Sequence, residues 1–160
     1  MQLAFDNTCE LAVAPAALWA TVSTMAGVNA ELAPWMRMTT PSEAVGRSLS
    51  EAPIGEPMFA SWLLAFGVLP IDLHQLTLER VWRGEADAAG PRWGFFERSR
   101  SWMQREWVHE RVIRASSTGS ALRDRVWVEP RFAPLTPVVC IIVQRLFAHR
   151  HRRLLANFGN

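Results

Sequence analysis

The chain has no lysine and no tyrosine among its 160 residues. All 17 basic residues are therefore arginine, and with 15 acidic residues opposing them the formal net charge is only +2. The one basic run, from Arg145 to Arg153, lies on a segment whose other face is apolar. Nucleic-acid binding wants a broad basic patch with exposed aromatics, so it is not expected here. Cysteine is scarce: Cys9 and Cys140 stand far apart, each in an apolar pattern. They read as buried free thiols of a reducing compartment, and no paired-cysteine spacing asks for zinc. No apolar run approaches the ~20 residues of a bilayer span, and the first residues do not have the form of a signal peptide. The expected location is cytoplasmic. The chain also lacks a G-x-S-x-G elbow, a glycine-rich phosphate loop, an H-x-x-x-H pair and a serine or cysteine in a nucleophile's setting. No metal or cofactor is expected.

What is present is mostly apolar and aromatic. Hydrophobic residues make up 49% and charged residues 20%, which favours one ordinary core over disorder. Residues 1–160 are the length of one domain, with no linker, repeat or low-complexity segment. Eight tryptophans and eight phenylalanines suggest a core or cavity lined by aromatic faces.

The C-terminal stretch from Pro134 to Phe158 organises the rest. Between Pro137 and Gly159 there is neither proline nor glycine, which leaves room for roughly six turns of helix. Its first half is apolar nearly all round, so burial on more than one side is expected. Its second half carries Arg145, His149, Arg150, His151, Arg152 and Arg153 as an exposed basic face.

The remainder reads mainly as strands. Residues 2–13 alternate, with Leu3, Phe5, Cys9, Leu11 and Val13 on one face. A helix opens at Pro15 and stops at Gly27, and a second runs from about Asn29 to Met36. Val45 to Ser50 suggests a short strand. Phe59 to Val68 has two apolar faces, of which Trp62, Leu64 and Phe66 form one. Leu73 to Trp82 alternates, with His74, Leu76 and Leu78 together. Gly84 to Pro91 is a loop. Arg92–Ser99, Trp102–Ala115 and Ala121–Glu129 are the last strands, the final two a hairpin around Ser116–Gly119. The fold class is α+β, a sheet wrapped around one long helix.

The hairpin carries the main chemical clue. With its turn near Thr118, facing residues have numbers that sum to about 235. Arg111 then faces Asp124, His109 faces Val126 and Trp107 faces Val128. Side chains alternate, so these residues share one largely apolar face with Ile113 and Leu122. An arginine and an aspartate on an inward face belong together as a pair. A one-residue slip would place Arg111 in solvent.

With Ala14-Pro15 and Leu18-Trp19 at the head of the first helix, Phe95-Phe96-Glu97, Trp107-x-His109-x-Arg111 and Asp124-x-Val126, the chain resembles the START-like helix-grip superfamily (SRPBCC). That superfamily includes polyketide cyclases and lipid-transfer-like ligand carriers. The resemblance covers essentially the whole chain. It implies a curved antiparallel sheet gripping the C-terminal helix, two short helices after the first strand, and a cavity between sheet and helix. The expected lining is Trp62, Leu64, Phe66, Leu76, Leu78, Phe96, Trp107, His109, Arg111, Asp124, Ile142 and Leu146. The expected partner is a small hydrophobic ligand: a lipid, a quinone or a polyketide-like aromatic. Two other functions compete. One is a cyclase or hydratase in which His109 moves a proton and Arg111 stabilises an oxyanion. The other is an interaction protein, or a peripheral contact with an anionic membrane, through the arginine-rich helix end. The sequence leaves the oligomeric state open.

Overall fold

Alternation of side chains builds most of this molecule. The computed structural model describes residues 1–159. Seven strands form one antiparallel sheet: β1 (Gln2–Leu11), β2 (Met36–Met38), β3 (Pro57–Ala65), β4 (Leu69–Asp87), β5 (Gly90–Ser101), β6 (Gln104–Ser116) and β7 (Gly119–Pro130). Their order across the sheet is β1-β7-β6-β5-β4-β3-β2, a meander with β1 returned to lie beside β7. Helices α1 (Pro15–Val22) and α2 (Met25–Leu32) follow β1, and α3 (Thr136–Phe158) closes the chain. The sheet curls around α3, the helix-grip arrangement.

α3 buries one stripe: Val139, Cys140, Val143, Phe147, Arg150, His151 and Leu154. These positions follow the 3.6-residue period, so a single face meets the sheet. The first half of the helix is therefore not covered all round. Val138, Ile141 and Ile142 are each half-exposed or more. The expected basic face is also reduced, because Arg150 and His151 fall on the buried stripe.

Several boundaries differ from the sequence reading, each for a local reason. A bulge between Leu3 and Phe5 swaps the inward residue at the start of β1, so Ala4 is buried and Leu3 exposed. α1 ends at Val22, and Thr24 caps α2 by accepting a hydrogen bond from the Gly27 amide at 3.0 Å. Gly27 thus lies inside α2. It is glycine because a Cβ there would stand 2.2 Å from the Thr21 carbonyl oxygen. α2 stops at Leu32, two residues before Pro34, and Met36 already belongs to β2. Residues 45–50 form no strand. Short 3₁₀ turns flank them and Ser48 makes a lone bridge to Thr24. β4 runs on past both Pro70 and Gly84, so the expected loop is a hairpin that turns between Asp87 and Gly90.

The last hairpin has the expected register: Trp107 opposite Val128, His109 opposite Val126, Arg111 opposite Asp124. The core divides into two clusters. One surrounds Leu18, Trp19, Leu78, Ile113 and Leu122; the other surrounds Val126, Val128, Val143 and Phe147. Both cysteines are free and buried. Burial, reinforced by the nearby Asp124 charge, pushes the Cys9 thiol up to about 12, so it stays an unreactive thiol at neutral pH.

Candidate functional site

Between the concave face of the sheet and α3 lies a cavity of about 210 Å³. That is the space of about seven waters. Its walls are largely apolar: Met25, Val28 and Leu32 from α2, Met36 and Met38 from β2, Leu76 and Leu78 from β4, Phe95 from β5, and Val139, Ile142, Val143 and Leu146 from α3. Six of the twelve residues expected at the lining are there: Leu76, Leu78, Trp107, His109, Ile142 and Leu146.

The other six lie elsewhere. β3 has apolar residues on both faces, so alternation does not choose between them, and the face turned inward carries Leu63 in place of Trp62 and Leu64. Trp62 packs edge-on against Trp102, ring centres 4.8 Å apart. Phe66 lies past the end of β3 in a left-handed backbone conformation and is exposed. Phe96 gives way to Phe95 because Glu97 pairs with His109 and shares its inward face, which fixes the parity of β5. Arg111 and Asp124 are buried completely, behind the wall.

These two hold a hydrogen-bonded network together. The Arg111 guanidinium donates through Nε and Nη2 to the Asp124 carboxylate and through Nη1 and Nη2 to Glu31 of α2, all at 2.8 Å. Arg150 donates to the same Glu31 carboxylate from α3, at 3.0 Å through Nε. Asp124 also receives His109 Nε2 at 2.8 Å and His151 Nε2 at 2.9 Å. A second carboxylate, Glu97, receives His74 Nε2 at 2.7 Å and the Ser99 hydroxyl at 2.5 Å, both at Oε1. His109 Nδ1 stands 3.8 Å from Glu97 Oε2, too far for a direct hydrogen bond.

Burial works against ionisation of all three carboxylates, and their partners overcome it. The Arg111 charge with the His109 and His151 hydrogen bonds holds Asp124 well below the usual carboxylate range. Arg111 and Arg150 do the same for Glu31, and the His109 and His74 rings for Glu97. The sign of the resulting pH dependence follows. Carboxylates with depressed native pKa values add stability above their unfolded values, about 4, and lose it as pH falls toward the native ones. Stability toward urea, followed by circular dichroism, is expected to be level above about pH 5 and to decline steadily below pH 4. A protein equally stable at pH 3 and pH 6 contradicts the ionised network.

Arg111 spends its donors inside this network, so it is not available to orient a ligand. His149 and His151, expected at the surface, are not free there. His151 is buried against Asp124, and His149 donates to the Ala33 carbonyl at 2.7 Å. Sequence reasoning missed Glu31 as a partner of Arg111, and Arg150 and His151 as the further partners of Glu31 and Asp124. A signal for the last two existed: the stripe Val139, Val143, Phe147 extended by three or four residues lands on Arg150 and His151. The polar cavity wall comprises Asp72, His74, Glu97, Gln104, His109 and Arg150. Gln104 Oε1 is buried and has no hydrogen-bond partner.

Among the described residues no helix is long and apolar enough to cross a membrane. Of the basic run, Arg145, Arg152 and Arg153 are exposed. The fold is shared with solved structures at low sequence identity. Protein CV1439 from Chromobacterium violaceum superposes with a TM-score of 0.65 at 13% identity, covering 98% of this chain and 97% of its own. Ara h 8.0201 gives a TM-score of 0.52 at 16% identity, over 95% of this chain and 97% of its own. No curated protein is matched by the sequence. The family described as "Domain of unknown function (DUF8410)" matches residues 9–158, and the chain belongs to that family.

Proposed function

We propose that this protein binds a small apolar molecule in the cavity between the sheet and α3. The observation that carries the reading is the cavity itself: apolar over most of its wall, with Glu97 and His109 among its few polar residues, and bounded by a half-exposed stretch of α3. Pockets of this build, apolar with a few convergent polar groups, are the usual small-molecule sites. Binding draws on apolar burial of about 25 cal/mol per Å². A volume of about 210 Å³ suits a single ring or a short acyl chain better than a fused polyketide skeleton.

The acid–base alternative loses support, because Arg111 is fully buried behind the wall with four of its five N–H groups bonded to Asp124 and Glu31, and of the two residues only His109 lines the cavity. The interaction reading rests on three exposed arginines, fewer than the sequence suggested.

The test is calorimetric titration with butylbenzene. Saturable binding is expected in the native protein. Leu146→Trp, at a half-buried lining position, is expected to weaken it at least ~10-fold, since filling the space removes the apolar surface that binding buries. Equal affinity in the two proteins excludes this cavity as the site.

A further inference from the structure

The polar part of the cavity wall includes acceptors to which none of the described residues donates, and this specifies the ligand more narrowly than apolarity does. The inference rests on the cavity-binding reading above. Glu97 Oε1 already takes two hydrogen bonds, from His74 and Ser99, while Oε2 has no hydrogen-bond donor within reach on the protein side. The nearest nitrogen, His109 Nδ1, is 3.8 Å away. His109 Nε2 is hydrogen-bonded to Asp124 at 2.8 Å, which leaves Nδ1 beside Glu97 without a direct bond to it. Gln104 Oε1, on the same wall, is a buried acceptor without a partner among the described residues. An unmet buried acceptor is costly, and a ligand that donates to it removes that cost.

Charge points the same way. The buried charged residues are Glu31, Asp72, Glu97 and Asp124 against Arg111 and Arg150, four carboxylates to two guanidiniums. Before the histidines are counted, the buried carboxylates outnumber the guanidiniums by two. Both guanidiniums are committed to Glu31 or Asp124. The guanidinium on the cavity wall, Arg150, is already paired with Glu31. Trp107, also on the wall, offers an aromatic face on which a cation is stabilised.

We propose that the ligand is an amine: an apolar body ending in a protonated nitrogen that donates to Glu97 and Gln104. A carboxylic acid of the same shape is rejected, because its anion would be buried against Glu97 with no counter-ion.

Calorimetry on the full chain with 4-phenylbutylamine, butylbenzene and 4-phenylbutyrate tests this, since the three share an apolar body and differ at one end. The amine is expected to bind roughly tenfold or more tightly than butylbenzene, the gain of one charge-assisted hydrogen bond. The acid is expected to bind more weakly than butylbenzene. Glu97→Gln is expected to bring the amine down toward butylbenzene. Should that variant fail to fold, Gln104→Leu, which leaves the histidine–glutamate bonds in place, is expected to cost the amine severalfold. An acid that binds as well as the hydrocarbon, or an amine no better than it, overturns the proposal while leaving cavity binding intact. Failure of butylbenzene itself, with the amine and acid also silent, overturns the cavity-binding reading and this proposal with it.

Discussion

Arg111→Met is expected to cost about 3–5 kcal/mol of folding stability, the range for breaking a buried ion pair by removing one partner. The side chain is fully buried, and its guanidinium directly links the Asp124 carboxylate of β7 to the Glu31 carboxylate of α2. Methionine restores much of the volume but none of the donors. Asp124 would keep only its histidines, and Glu31 only Arg150. The loss is therefore the desolvation cost of carboxylates left short of partners, not the net worth of the bonds seen. Urea denaturation with two-state analysis measures it. A cost under about 1 kcal/mol would falsify the view that Arg111 holds the helix pair to the sheet. A cycle with Glu31→Gln should show coupling of about 0.5–3 kcal/mol, because the two side chains share bonds.

Gly94→Ala should destabilise the fold by about 3 kcal/mol or more, for a backbone reason. Gly94 sits in β5 at φ +140°, where L side chains are rarely found. A Cβ there would lie 1.9 Å from the Arg111 carbonyl oxygen. Neither strand can move away cheaply, because Gly94 is paired on both sides, with Val112 of β6 and Trp82 of β4. Strain and overpacking add, and the clash falls on the residue that anchors the buried network. Thermal unfolding should show Tm lowered by about 6–12 °C. A variant with unchanged Tm would mean that β5 and β6 slide past one another at this point without cost.

The unequal legibility of the sequence follows from the range of the interactions. The hairpin register was readable because a Ser-Ser-Thr-Gly turn and strict alternation are local, and from them Arg111 opposite Asp124 follows directly. β3 was not readable in the same way. With Trp62 and Leu64 on one side and Phe59 and Leu63 on the other, both faces are apolar and only the neighbouring strand decides which turns in. Phe96 was placed inward for want of the β5–β6 pairing, which Glu97 opposite His109 supplies. Glu31 lies 80 residues from Arg111, and no periodicity within a single helix or strand connects them.

By itself the sequence determined the α+β class, the order of elements, the long terminal helix and the inward face of the last hairpin. These depend on patterns within one element or across one turn. Tertiary structure alone decided which face of α3 is covered, that Arg150 and His151 turn inward to meet Glu31 and Asp124, and that Arg111 holds the walls together behind the cavity. Each of those outcomes needs α2, α3 and the sheet present at once, because a buried charge takes its place from the partners that three separate segments bring to it.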